Sequence, residues 1–150
     1  MIALFSTLMF SSLAADVVVA QSVKPLGFYS NERSSDGEHS TGFSMHVWTS
    51  PKGPYILLSV HEGEIGDGRP YKAIDIEHNL VTGQLAFKAE YTPGKFLQFL
   101  GVIERGNVKG TFKFPSGAVS KKQILKRCCE DAPRYRAYPS FEALEKEWRS

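Results

Sequence analysis

Alternation of apolar and polar residues dominates the middle of the chain, from Phe43 to Phe114, although both faces of the segment from Tyr55 to His61 are largely apolar. Successive side chains of a strand point to opposite faces of its sheet, so a period of two predicts β-strands and leaves little room for helix. Short segments rich in Pro and Gly, at residues 50–54 and 92–95, separate the alternating segments and are typical of turns. The alternation predicts about eight strands joined by short links.

The regular spacing of these strands favours antiparallel pairing. We therefore predict an all-β fold, an up-and-down meander of about eight strands that forms a barrel or, alternatively, a sandwich. A C-terminal α-helix is expected at residues 140–149, because Ser140 is a start signal and Phe141, Leu144 and Trp148 recur at helical spacing. We expect this helix to lie against the outside of the sheet.

The N-terminal residues 1–20 have the layout of a secretory signal peptide. They are mostly apolar, Asp16 is their one charged residue, and small residues precede a cleavage point after Ala20. A cut after Ala15 is the second choice, and a buried N-terminal element or an uncleaved anchor are the alternatives. A cleaved signal peptide leaves residues 21–150 as a single domain that is secreted or periplasmic.

Four short segments follow one another in a familiar order, namely Gly27-Phe28-Tyr29, Thr82-Gly83-Gln84-Leu85-Ala86-Phe87, Phe99-Leu100-Gly101-Val102-Ile103 and Lys109-Gly110-Thr111-Phe112. Together they resemble secreted bacterial β-barrel domains of the lipocalin, or calycin, type. The likeness extends over residues 26–127 and implies a barrel rather than an activity. Gly27-Phe28-Tyr29 stands where lipocalins carry a G-x-W signature, so no lipocalin ligand residue is carried over.

Aromatic residues are frequent, with ten Phe, six Tyr and two Trp, and several fall on the core-facing side of the predicted strands. A partly hollow barrel lined by aromatic rings suits an apolar ligand. We therefore predict a non-enzymatic protein that binds a small apolar or amphipathic ligand; packing of the rings in a solid core is the alternative. The candidate ligand-binding residues are Tyr55, Leu57, His61, Phe87, Phe99 and Phe112.

Three carboxylates lie close together between two predicted strands, at Glu62, Glu64 and Asp67, with glycines between them. Glycine allows a loop to fold tightly, so several oxygens could converge on one hard cation such as Ca²⁺. The spacing is not that of an EF-hand. The sequence thus offers a candidate calcium site, for which a solvated loop is the alternative.

The histidines are His39, His46, His61 and His78, and no two are at a spacing diagnostic of zinc. The alternation predicts that His78 shares a face with Ile74 and Ile76. A hydrolase or isomerase is a further hypothesis, in which His61 acts with a carboxylate and, in the hydrolase, with a nucleophile such as Ser59. No nucleophile elbow, P-loop or dinucleotide fingerprint is present in the sequence, so no catalytic residue is assigned.

Charge is distributed unevenly along the chain. Residues 105–136 contain nine basic and two acidic residues, whereas residues 32–77 contain four basic and eight acidic ones. A basic face can meet an anionic surface or an acidic protein, and solubilising charge is the alternative. We therefore also consider an envelope protein-interaction module, such as an inhibitor or accessory factor of a secreted enzyme. Its candidate surfaces are the basic stretch and the loop 31–41. The export signal argues against nucleic acid.

The two cysteines, Cys128 and Cys129, are adjacent. Adjacent strand residues point to opposite faces, and a disulfide between neighbours closes a strained ring. In an oxidising compartment the alternatives are a vicinal disulfide, a covalent dimer, or thiols of which one is buried. The sequence leaves a monomer and a cysteine-linked dimer open.

Overall fold

The structure is a computed structural model that describes residues 22–64, 70–128 and 134–148. Within these residues the chain forms nine strands and one helix: β1 (Lys24–Ser30), β2 (Arg33–Ser34), β3 (His39–Ser50), β4 (Gly53–Glu64), β5 (Tyr71–His78), β6 (Gln84–Thr92), β7 (Lys95–Glu104), β8 (Asn107–Lys113), β9 (Gln123–Arg127) and α1 (Phe141–Trp148). The predicted all-β fold with a C-terminal helix is confirmed.

Strand β1 closes the sheet into a barrel. Strands β3 to β9 follow one another as antiparallel neighbours, and β1 lies between the two outermost of them. It pairs with β3 from Lys24 opposite Thr49 to Ser30 opposite Ser44, and with β9 where Ser30 lies opposite Lys126. The short strand β2 extends the sheet beyond β3. The predicted barrel is therefore an eight-stranded closed antiparallel barrel, in the described residues, with β2 as the extra strand.

The barrel interior is occupied by apolar side chains from every strand of the closed sheet. Those on alternate positions point inward, as the period of two predicts. Two phenylalanines stack across the interior, Phe43 and Phe112, with ring centroids 4.0 Å apart. Fully buried members of this interior cluster include Met45, Ile56, Leu58, Ala89, Val108 and Leu125.

Two glycines make room for the ring of Phe99 inside the barrel. Gly101 of β7 lies opposite Gly110 of β8. A Cβ atom added to either glycine would lie 2.6 Å from Cζ of Phe99, and it would also clash with a neighbouring backbone oxygen. The glycines therefore allow close approach of backbone and ring, a role that no larger residue can fill.

Strand β5 departs from strict alternation. Its register against β6 shifts between Ile74 and Glu77, and Asp75 has a φ of 51°. Such a bulge inserts an extra residue and changes which face the following side chains occupy. Ile74 is therefore exposed, whereas Ile76 packs against the interior cluster. The prediction that these two isoleucines share a face is wrong.

Helix α1 covers the outer face of β3 and β4. The Ser140 hydroxyl accepts a hydrogen bond from the Ala143 amide at 3.2 Å, so the predicted start is confirmed. Leu144 is fully buried, and Phe141 stacks on Tyr55 with centroids 5.2 Å apart. The helix thus lies on the outside of the barrel, as expected. No helix among the described residues is long and apolar enough to cross a membrane.

Replacing Gly101 by alanine tests the contact between glycine and ring. The added methyl group meets the Phe99 ring and a backbone oxygen, so we expect the free energy of unfolding to fall by about 1–3 kcal/mol. Urea unfolding measures this change. Gly63→Ala is the matched control, because nothing lies within 4 Å of a Cβ at this β4 position. Equal stability of the two variants would contradict the packing described for Phe99.

Candidate functional site

The predicted ligand-binding residues do not lie in one place. Phe87, Phe99 and Phe112 lie inside the barrel, at most 3% exposed. Their rings contact one another, with centroids 5.1 Å apart between Phe87 and Phe99 and 5.0 Å apart between Phe99 and Phe112. A ligand that reached these rings would have to displace side chains of the interior cluster. Ligand binding by these residues stays a prediction.

Tyr55 and Leu57 point the other way, to the outer wall. Both are buried there in a second cluster beneath α1, together with Leu144 of the helix. The sequence signalled this burial, because both faces of β4 are largely apolar. The structure therefore separates these two candidates from the three phenylalanines by the barrel wall itself.

His61 belongs to a polar network on the outer wall. Its Nε2 atom lies 2.9 Å from the Ser44 hydroxyl, and its Nδ1 atom lies 3.3 Å from a carboxylate oxygen of Glu32. The Ser44 hydroxyl in turn lies 2.9 Å from that of Ser30. These distances are short enough for hydrogen bonds or, between His61 and Glu32, for an ion pair. A serine, a histidine and a carboxylate are therefore connected side chain to side chain. We call these four residues the serine–histidine network.

The sequence pointed to Ser59 as the partner of His61, but the structure gives this place to Ser44. Strands β3 and β4 pair so that Ser44 lies opposite Ser59, and His61 reaches Ser44 diagonally. Diagonal neighbours on one face are within reach of a long side chain. Glu32 follows β1, and its carboxylate comes close to His61 of β4 only because β1 closes the barrel. The sequence therefore could not identify Glu32 as the carboxylate partner of His61.

His46 lies in an aromatic cluster on the outer wall. Its ring stacks on Phe28 at 4.2 Å, while Trp148 of α1 and Tyr135 lie at 4.6 and 5.5 Å in tilted arrangements. The buried Nδ1 atom has no hydrogen-bond partner in the described part of the chain. Burial lowers the pKa of His46 to about 4, because a charged ring would lose its hydration. His46 is therefore neutral at pH 7 and holds α1 by ring contacts.

A concave surface lies on the outer wall where no helix covers it. The register aligns Glu77, Ala86, Leu100 and Thr111 as a row across β5 to β8. Around this row lie two adjoining concavities of about 760 and 1030 Å³, and both are lined by Glu77, Ala86 and Leu100. Leu100 is 69% exposed at the centre of the row. We call this surface the outer groove.

Charged side chains flank the outer groove on both sides. Lys88 pairs with Asp75 at 3.0 Å on the β5–β6 side. On the β8 side, Lys113 lines the groove and lies opposite Val119, an apolar residue that is 61% exposed. In the described ranges, Lys113, Lys121 and Lys122 form no ion pair. This side of the groove therefore combines exposed apolar groups with unpaired positive charge.

The calcium prediction falls largely on residues outside those described. This applies to Asp67 and to the side chain of Glu64, whereas Glu62 accepts a hydrogen bond from the Tyr91 hydroxyl at 3.0 Å. That bond raises the pKa of Tyr91, because it stabilises the protonated phenol. The described ranges contain no group of three or more His, Cys, Asp and Glu side chains suited to a metal ion. The calcium site stays a prediction.

Two further predictions also fall partly outside the described residues. Residues 1–21, which include the expected signal peptide, lie outside them, as does Cys129. Cys128 is half-buried, and its amide donates a hydrogen bond to the Phe28 carbonyl at 3.0 Å. Compared with models of protein families, with curated proteins and with solved structures, the chain matches none.

Stability at acid pH tests the burial of His46. A histidine of the unfolded chain titrates near pH 6.5, whereas the folded pKa is about 4. Below pH 6.5 the unfolded state binds a proton that the folded state does not, so the free energy of unfolding falls until pH 4 is reached. The expected loss from this group is at most about 3 kcal/mol, measured by urea unfolding between pH 4 and 7.5.

His46→Phe should remove this part of the pH dependence, because phenylalanine keeps the ring contacts and binds no proton. His78→Gln, outside the aromatic cluster, is the control and should retain it. Superimposable pH profiles for the wild type and His46→Phe would show that His46 does not titrate as described.

Proposed function

We propose that this chain is an exported binding protein, an envelope protein-interaction module that recognises its partner through the outer groove. The observation that carries the proposal is the exposure of Leu100, at 69%, in the middle of a concave and otherwise uncovered sheet face. Large apolar side chains exposed at the centre of a concave surface are characteristic of contact sites. The proposal also includes that the barrel is lipocalin-like and that a signal peptide is removed from the chain on export.

The composition of the groove supports one kind of partner. An apolar side chain of the partner would lie against Leu100 and Val119. Acidic side chains would pair with Lys113, which lines the groove, and with Lys121, two residues beyond Val119; neither forms an ion pair within the described residues. We therefore propose an acidic protein segment with one or more exposed apolar residues.

The packing of the barrel interior also favours its outer wall as the binding surface. Phe43, Phe99 and Phe112 already contact one another inside. Binding on the outside needs no rearrangement of this cluster, whereas binding inside would lose its packing contacts. A small amphipathic ligand in the outer groove is the alternative, since an apolar tail and an anionic head fit the same residues.

Site-specific photo-crosslinking in the producing cells tests the proposal. A photoreactive amino acid replaces Leu100, and in a separate variant it replaces Lys52, which is exposed in the β3–β4 turn and lines neither concavity of the groove. We expect a discrete protein adduct from position 100 and none from position 52. Both variants should fold, because exposed positions contribute little to stability.

Charge reversal then tests the nature of the partner. Exchanging Lys113 and Lys121 for Glu should weaken formation of the adduct at least about tenfold, because like charges would then face each other. Identical adducts from positions 100 and 52, or no protein adduct from position 100, would contradict the proposal.

A further inference from the structure

A row of polar side chains crosses the outer wall beside the serine–histidine network. The register places Ser59 of β4 opposite Ser44 of β3, Ser44 opposite Ser30 of β1, and Ser30 opposite Lys126 of β9. All four side chains lie on the outer face, because the residues next to them along each strand point into the interior. The row is separate from the outer groove on β5 to β8, and the proposed function does not use it.

The hydrogen bonds of the network have a consistent direction. The Glu32 carboxylate oxygen lies 3.3 Å from Nδ1 of His61, and its negative charge favours the tautomer with the proton on Nδ1. In that tautomer Nε2 accepts a hydrogen bond from the Ser44 hydroxyl. The Ser44 oxygen can then accept from the hydroxyl of Ser30. The amide of Glu32 donates to the Ser30 oxygen at 3.0 Å, so the hydroxyl proton of Ser30 is left to point toward Ser44. A proton on Ser30 thus has a continuous path to an imidazole nitrogen.

Exposure distinguishes the two serines. Ser44 is only 3% exposed, so a substrate does not reach it, whereas Ser30 is half-buried and open to solvent. The side chains of His61 and Glu32 are 18% and 35% exposed. Ser30 is therefore the accessible hydroxyl of the two, and the buried Ser44 lies between it and the partly exposed His61.

We propose that this network is a nucleophilic serine site that acts on carboxylic esters. Ser30 is the nucleophile, Ser44 passes its proton on, His61 is the general base, and Glu32 orients the imidazole and stabilises its charged form. The ammonium group of Lys126, on the same face opposite Ser30, supplies positive charge beside the oxyanion that forms.

The reaction proceeds in two balanced steps. The Ser30 oxygen attacks the ester carbonyl carbon while its proton moves to Ser44 and the Ser44 proton moves to Nε2 of His61. The tetrahedral intermediate collapses and the bond to the alkoxide breaks. The alkoxide takes a proton that returns along the same path, as Nε2 of His61 gives its proton back to Ser44 and Ser44 passes one on, and it leaves as the alcohol. Water then attacks the acyl group on Ser30 and gives its proton to the same path. The carboxylic acid leaves, and the Ser30 hydroxyl is restored.

A fluorophosphonate probe tests this site without knowledge of the natural ester. The Ser30 oxygen attacks phosphorus, the phosphorus–fluorine bond breaks, fluoride leaves, and the proton passes through Ser44 to His61. We expect a stable adduct that peptide mass spectrometry locates at Ser30 and that is absent from Ser30→Ala. His61→Asn should slow labelling by at least about a hundredfold, in line with loss of a general base.

Ser59→Ala is the matched control, because Ser59 lies in the same row but forms no hydrogen bond with the network within the described residues. Its labelling rate should stay within about twofold of the wild type. Glu32→Gln is a second variant that tests the network if His61→Asn fails to fold. It should fold because the Glu32 carboxylate is partly exposed, and it should slow labelling at least about tenfold.

Three results would overturn the proposal. One is the absence of an adduct at Ser30 in the folded wild-type protein. Another is an equal rate of labelling in protein unfolded with guanidinium, which would show ordinary hydroxyl reactivity. The third is an unchanged rate in a folded His61→Asn or Glu32→Gln variant, which would mean that the network only stabilises the barrel.

Discussion

Hydrogen bonding of β1 to both β3 and β9 is the interaction on which the rest of the structure depends. Without β1, the strands β3 to β9 would be an open sheet with two unpaired edges. Closure gives every strand an inner and an outer face. The apolar side chains at alternate positions then have to point into the barrel, and the side chains between them point outward. The same strand also brings Ser30 beside Ser44 and Lys126, which come from distant parts of the sequence.

The separation of inside and outside determines where recognition and chemistry can occur. The interior holds stacked rings such as Phe43 and Phe112. Part of the outer wall is covered by α1, whose Trp148 and Leu144 pack over His46 and Trp48. The part of the outer wall that α1 does not cover therefore carries polar residues and exposed apolar ones. There the serine–histidine network and the outer groove are found.

Much of this architecture could be predicted from the sequence, since it depends on local pattern. The period of two identified the strands, and Ser140 with its helical apolar residues identified α1. The bulge in β5 could not be predicted, because nothing local marks the positive φ of Asp75. The network that joins His61 to Ser44 and Glu32 depends on strand register and on closure, both of which are long-range properties.

We propose that the filled barrel acts through its outer wall. Native mass spectrometry of the purified chain, compared with its mass after denaturation, tests this claim most directly. We predict the mass of the bare chain under native conditions, because side chains already occupy the interior. A stoichiometric apolar ligand that is retained by Leu100→Asp and released only on unfolding would contradict it, since such a ligand would lie inside the barrel.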